Sequence, residues 1–208
     1  MKKLFFIAFA SLVATILYAQ DINLPTPVKT GGLSVMEALN KRQSTDNFKE
    51  TDLTDQQLSN LLWAANGINR DNGKRTAPSA LNSQDVDIYV ALANGVYKYD
   101  AANLKLIFVS SEDCRKLAQS PKNSTLPPCM LYLVADGSKY PSNIPAEHTA
   151  DMGRIDVGIV SQNISIFCAA TGLGTRPRAS MKQEELRQIL KLNERQLLLL
   201  NHPIGYPL

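Results

Sequence analysis

The run from residue 149 to residue 171, TADMGRIDVGIVSQNISIFCAAT, constrains this chain more than any other segment. It is long and mostly apolar, and its apolar residues fall on several faces of a helix rather than on one stripe. A helix of that kind is buried on most sides, so other elements must wrap it. Gly172 and Gly174 supply its stop. The chain has 208 residues, enough for one sizeable core around such a helix.

Ahead of this helix the hydrophobic period changes. Asp87 to Ala93 alternates as a strand does, Asn94-Gly95 reads as a hairpin turn, and Val96 to Tyr99 reads as the return strand. Leu104 to Val109 and Leu131 to Ala135 are further strands, the second fully buried, and Gln196 to Leu200 is a last apolar strand. Three capping boxes mark helix starts: Ser34 with Glu37, Thr54 with Gln57, and Ser180 with Gln183. Behind the second, Leu58, Leu61, Leu62 and Ala65 recur at helical spacing and Gly67 ends the run; the third helix is expected to continue to about Leu192. Helices mixed with hairpin-type strands give the α+β class. Residues 20–33 form an extended lead-in, and 68–84 a polar loop long enough to suggest function.

Residues 1–19 read as a secretory signal peptide. Lys2 and Lys3 precede an apolar stretch from Leu4 to Leu17, and Ala19 offers a small residue before the cut at Gln20. The stretch is shorter than the roughly 20 apolar residues that span a bilayer, which disfavours the alternative of an anchor. The protein is therefore expected outside the cytoplasm, periplasmic or secreted, with no membrane attachment after cleavage. The segment carries two lysines and no acid, so the formal charge falls from +3 to +1 on its removal. That balance gives no case for nucleic acid as a partner. Export permits a disulfide, and Cys114 and Cys129 flank a Pro-rich excursion that they could close, with Cys168 as a core thiol; three reduced thiols fit as well. With two histidines and no CxxC, no metal site is expected.

Three polar clusters could carry chemistry. Arg42-Gln43-Ser44 offers a charged fork and a hydroxyl suited to a phosphate. Pro78-Ser79-Ala80-Leu81-Asn82-Ser83-Gln84 places two side-chain amides in a proline-started loop, where they could read a ring edge that has both donors and acceptors. Taken alone, each is as well explained by solvated surface or by an ordinary turn. Gly172-Leu173-Gly174-Thr175-Arg176-Pro177-Arg178 follows a helix rather than a strand and has the wrong glycine spacing for a dinucleotide fingerprint.

Taken together, these segments resemble the nitroreductase superfamily, and within it the SagB/ThcOx-type dehydrogenases. The matching pieces are Arg42-Gln43-Ser44, LLWAANGINRDNGKRTAPSALNSQ, GVYKYD, DVGIVSQNISIFCAATGLGTRP and NHPIGYP, in family order along the chain. The resemblance implies a nitroreductase-like domain over 34–208, a central antiparallel-type sheet surrounded by helices, and a homodimer with flavin mononucleotide (FMN) at the subunit interface. It implies that Arg42 and Ser44 hold the phosphate, with Gln43 between them in the cofactor site, and that Pro78, Ser79, Asn82 and Gln84 lie against the ring and ribityl chain. Asn82 matches the residue that bonds the flavin's pyrimidine edge. Pro177, Arg178, Ala179 and Ser180 match the segment whose backbone approaches the central ring, and Gln162 and Asn163 match a structural helix motif. The chain departs from the family at Asp46, where a second basic residue is usual, and in a tail that ends at Leu208; Lys41, Arg176 and Arg178 stand as substitutes.

The activity so implied is FMN-dependent transfer of a hydride or electrons between a donor and a small organic substrate. No side chain need act as a nucleophile, because the chemistry belongs to the cofactor, and His148 and His202 are expected to be solvent-facing or structural. Nicotinamide donors are not expected outside the cytoplasm. The alternative is a non-catalytic flavin- or ligand-binding protein on the same fold. The leader reading has a direct check. Intact mass of protein exported by its host should correspond to a chain beginning at or near Gln20, and a mass retaining Met1 to Ala19 would show an uncleaved, anchored protein.

Overall fold

The computed structural model describes residues 20–121 and 124–208; the expected signal peptide lies outside them. Seven strands form one antiparallel sheet in the order β1-β4-β3-β2-β5-β7-β6. They are β1 (Ile22–Asn23), β2 (Val86–Leu92), β3 (Gly95–Asp100), β4 (Lys105–Ser110), β5 (Cys129–Asp136), β6 (Gly174–Thr175) and β7 (Gln196–Gly205). The helices are α1 (Val35–Lys41), α2 (Asp55–Asn66), α3 (Ala146–Thr171) and α4 (Gln183–Ile189). The α+β expectation holds, but α3 is not buried on most sides: one stripe from Thr149 through Gly153, Val157, Val160 and Ile164 to Cys168 is buried, while Asp151, Arg154, Ile155, Gly158 and Gln162 are exposed, because the sheet and the other helices cover a single face of it.

Alternation along the central strands builds two cores. Val86, Ile88, Val90, Leu131 and Leu133 face Leu58, Leu61, Leu62, Val157, Val160 and Ile164 of α2 and α3. Tyr89, Ala91, Met130, Tyr132 and Val134 face the other way, onto Leu186 and Leu190 at α4 and Ala118. Every residue of β5 is buried, as a strand covered on both faces requires. The three cysteines are free: Cys129 and Cys168 lie in the first core and Cys114 in the second, so the sheet separates the pair that could have closed the excursion.

The boxes at Ser34 and Thr54 form as expected, with reciprocal bonds to Glu37 and Gln57, and Gly67 and Gly172 cap α2 and α3. The third box does not form. Arg178 is drawn into a backbone bridge with Asn201, so α4 starts only after Lys182 and stops at Ile189, short of Leu192. The β2–β3 turn also sits one residue earlier than expected. Leu92 pairs with Gly95, leaving Ala93-Asn94 as the turn. Gly95 has φ +140°, and a Cβ there would lie 2.5 Å from the Ser110 carbonyl oxygen, so glycine admits the close approach of β4. The lead-in belongs to the fold. Ile22 pairs with Leu106, Leu24 is in the first core, and the Leu33 N–H bonds the Ala170 carbonyl at 3.0 Å.

His202 ties three elements together. It is wholly buried on β7, with Nε2 2.9 Å from Ser161 Oγ of α3 and Nδ1 3.0 Å from Thr175 Oγ1 of β6. Burial pushes its pKa down to about 3, so it is neutral in the fold. The unfolded chain takes up a proton on this residue below about pH 6.5 and the folded chain does not. Its contribution is therefore present above that pH and is lost as pH falls toward the folded value. His202→Asn should lower stability at pH 8 by roughly 1–3 kcal/mol and flatten the loss of stability below about pH 6. Urea unfolding across pH measures both, and an unchanged acid slope would remove His202 from this role.

Candidate active site

The first half of the site forms where α1 ends. Arg42 caps the helix through its backbone N–H to Ala38. The chain then runs beside β6: Ser44 bridges to Thr175, and the Thr45 N–H donates to the Thr175 carbonyl at 3.1 Å. Since Thr175 is held by His202, the segment rests on the buried sheet. Arg42, Gln43 and Ser44 are all exposed, and none of their side chains has a hydrogen-bond partner among the described residues. Lys41, Gln43, Thr45, Thr175 and Pro207 line a cavity of about 160 Å³ beside them.

Asp46 forms an ion pair with Arg176, whose other terminal nitrogen lies 3.2 Å from Ser120 Oγ. The acid is thus neutralised within the protein. The same pairing occupies Arg176, and Arg178 is held through Nη1 by the Ala118 carbonyl at 2.6 Å. Of the three substitute cations, only Lys41 remains without a hydrogen bond or ion pair among the described residues. Pro177 to Ser180 adjoin this half. Arg178 and Asn201 exchange backbone bonds at 2.9 and 2.8 Å, and the Asn201 amide donates to the carbonyls of Arg178 and Ser180. Pro177, Ala179 and Ser180 are exposed.

The second half is the loop from Pro78 to Gln84. Leu81, Asn82 and Gln84 all have left-handed backbone, with φ of 56°, 53° and 49°. Such a cluster outside glycine is held only where its surroundings impose it. Here the Gln84 N–H donates to Ser79 Oγ at 2.9 Å, and the Ala80 N–H to Asp156 Oδ2 at 2.8 Å. The Gln84 side chain accepts from Arg75 Nε at 2.9 Å and donates to the Gly73 carbonyl at 3.1 Å. Gln84 and Ser79 therefore shape the loop, which spacing alone could not show. The exposed Asn82 amide has no partner among the described residues. Pro78, Ser79 and Asn82 line a cavity of about 320 Å³ with Arg70, Lys74 and Arg75, and no acid faces it. Arg75 is half-buried and has no carboxylate partner among the described residues.

The two halves touch α3 at separate places, and no described residue lines both cavities. The loop contacts α3 at Asp156, and the first cavity contacts its end at Gly172. The first cavity also touches α3 at Ser165, so the interval along the helix axis runs from about 14 Å to about 24 Å. Elsewhere, Asn163 donates to the Ala65 carbonyl at 3.2 Å, a structural role as expected, whereas Gln162 is exposed. His148 is exposed. Sequence reasoning missed Asp85 and Asp156, which are 0% and 3% exposed. Asp156 carries a signal, an acid between Ile155 and Val157 in a mostly apolar helix, whereas Asp85 follows the polar Asn82-Ser83-Gln84 and carries none.

A family model described as the nitroreductase family matches residues 39–206. The chain belongs to the nitroreductase family. This nitroreductase-family chain is similar to a crystal structure named as a nitroreductase from Ralstonia eutropha JMP134, with 32% identity, a TM-score of 0.85, and coverage of 91% of this chain and 90% of that one. A protein named as a nitroreductase from Methanocaldococcus jannaschii is 28% identical over 83% of this chain and 91% of its own length. A structure named as an NAD(P)H:FMN oxidoreductase from Staphylococcus epidermidis shares the fold at 17% identity, with a TM-score of 0.63 over 87% of this chain and 91% of that one. The family is one of oxidoreductases.

Proposed function

We propose that this chain is an FMN-dependent oxidoreductase acting as a homodimer. Each flavin lies between Arg42–Ser44 and Pro177–Ser180 of one subunit and the Pro78–Gln84 loop of the other. The observation that carries this reading is the separation of two half-sites, each presenting unpartnered polar groups, along one helix. The cofactor named for the Staphylococcus relative accords with it. So does the exposed apolar surface beside both halves: Val35, Met36 and Leu39 on α1, Leu81 on the loop, and Ile155 on α3. A second subunit covering it would bury the apolar area that a monomer exposes.

Arg42, Lys41 and the Ser44 hydroxyl bind the phosphate, and the Asp46–Arg176 pair keeps the nearby acid from repelling it. Asn82 presents its amide to the ring's pyrimidine edge. Arg70, Lys74 and Arg75 place positive charge near that edge, where it stabilises the extra electron density of a reduced ring. When bound, the flavin supplies the hydride or electron transfer itself. The substrate is a small organic molecule stacked in the same cavity. The motif around Arg75 to Gln84 favours the SagB/ThcOx-type branch. With residues 1–19 removed the enzyme works outside the cytoplasm, with a donor other than a nicotinamide.

Purified protein should show a flavin absorption band that bleaches with a reductant and returns with an acceptor; a colourless protein that ignores added FMN would reject the reading. Arg42→Ala removes a charge-assisted contact worth on the order of 1.5–3 kcal/mol, so FMN affinity should fall roughly tenfold to a hundredfold. Riboflavin, which has no phosphate, should bind the variant and the wild type alike. Equal losses for both ligands would mean that Arg42 acts through folding.

A further inference from the structure

Beneath the Pro78–Gln84 loop lie two carboxyl groups with no cation to balance them. Asp85, just before β2, is wholly buried, and Asp156 of α3 is nearly so. Gly153 makes room for them, because a Cβ there would lie 3.2 Å from Asp85 Oδ2 and 2.7 Å from Ala135 Cβ. Asp156 Oδ2 accepts from the Ala80 N–H at 2.8 Å and from the Tyr140 hydroxyl at 3.2 Å. Asp85 Oδ1 lies 3.4 Å from Ser83 Oγ, while its Oδ2 is buried without a hydrogen-bond partner among the described residues; the Tyr140 hydroxyl, nearby, acts against the rise of the Asp85 pKa.

The charged groups on the surrounding elements are engaged elsewhere. Lys139 pairs with Asp87 and reaches the Gln84 carbonyl, and Lys98 of β3 also pairs with Asp87 on β2. Asp136 of β5 takes Ser138 and Gln196. On α3, Arg154 pairs with Asp151. Arg75 holds Asn66 and Gln84, and Arg195 holds the Gly137 carbonyl.

Asp85 Oδ2 lies against Gly153, three residues before Asp156 on α3, and two buried carboxylates so placed cannot both ionise at ordinary cost. A buried oxygen with no donor is also costly. One proton removes both costs, because a protonated Asp85 Oδ2 becomes the donor and Asp156 the acceptor.

We propose that Asp85 and Asp156 share a single proton, and that this proton fixes the left-handed loop that presents Asn82. Asp156 is then a positioning residue: it holds the Ala80 N–H, and Asp85 holds Asp156. Burial, followed by the presence of Asp156, pushes the Asp85 carboxyl up to about 7. As pH rises through that value the proton passes to solvent, two anions face each other, and the hold on Ala80 weakens. The folded chain carries this proton where the unfolded chain has lost it, so the sign is a loss of local stability with rising pH. The shared proton stands without the cofactor reading; only the loop's grip on a flavin rests on that reading.

The full chain without added cofactor tests this. Infrared spectra from about pH 5.5 to about pH 8.5 should show a protonated carboxyl band that titrates with a midpoint near 7. Amide exchange at Ala80, corrected for its intrinsic pH dependence, should lose protection by at most about tenfold per pH unit above the midpoint. Asp85→Asn carries a permanent N–H donor in the proton's place and should keep its protection flat across the range, whereas Asp156→Ala should lack it throughout. No carboxyl band at pH 6, or the same slope in Asp85→Asn as in wild type, would overturn the proposal. If Asp85→Asn fails to fold, the wild-type band and slope decide alone. FMN titration of the same samples separates the two readings: affinity falling in step with protection supports both, and a titrating loop in a protein that ignores FMN keeps this inference while rejecting the cofactor.

Discussion

A helix that buries one continuous stripe must find a partner for every polar side chain on that stripe. That requirement on α3 organises the rest of the structure. Thr149 and Ser165 satisfy it locally, on the carbonyls of Ala146 and Ser161. Asp156 and Ser161 satisfy it at a distance, and both outlets lead to the site. Asp156 takes the Ala80 N–H and so holds the Asn82 loop. Ser161 meets His202, which meets Thr175, which bridges Ser44. The packing of one helix and the placement of two half-sites are therefore a single set of contacts. The same helix meets the two halves at separate places along its length.

Around the first half, charge is arranged so that little of it is free. Asp46 stands where a second cation is usual in the family, and Arg176 answers it. Arg178 is fixed on a backbone carbonyl. What remains for an anion is Arg42 and Lys41, exposed at the end of α1, where the helix dipole is negative and cations are favoured. The second half shows the reverse arrangement. Its acids are buried beneath the loop, and its cations line the cavity above.

Much of the fold was legible because it rests on period and on caps. Alternation in β2 and β5 gives both cores directly, and the boxes at Ser34 and Thr54 begin the helices they mark. The misreadings share a cause: a long-range pairing overrode a local signal. Asn201 captured Arg178 and cancelled the box at Ser180. Strand β7 continues through Pro203 because β6 pairs only with Ile204 and Gly205, so the missing N–H of Pro203 faces no strand on that side. Arg42, Ser44 and Asn82, the residues singled out from sequence, have exposed side chains without hydrogen-bond partners among the described residues. That Gln84 turns inward, and that Asp85 and Asp156 meet, depends on residues far apart in the chain. An acid at Asp156 in a mostly apolar helix gives no indication that Asp85 lies beside it.

The central claim is that one flavin is held by complementary halves from two subunits. Complementation between variants tests it most directly. Arg42→Ala and Asn82→Ala subunits each form homodimers in which both sites are damaged. Mixing them under exchange conditions creates dimers in which one site pairs an intact Arg42 with an intact Asn82 and the other site carries both changes. FMN bound per dimer, read from flavin fluorescence, should rise on mixing to one tight site in every mixed dimer. If the two residues served a site within one subunit, no intact site could form, and binding that stays at the level of the separate variants after verified exchange would contradict the account.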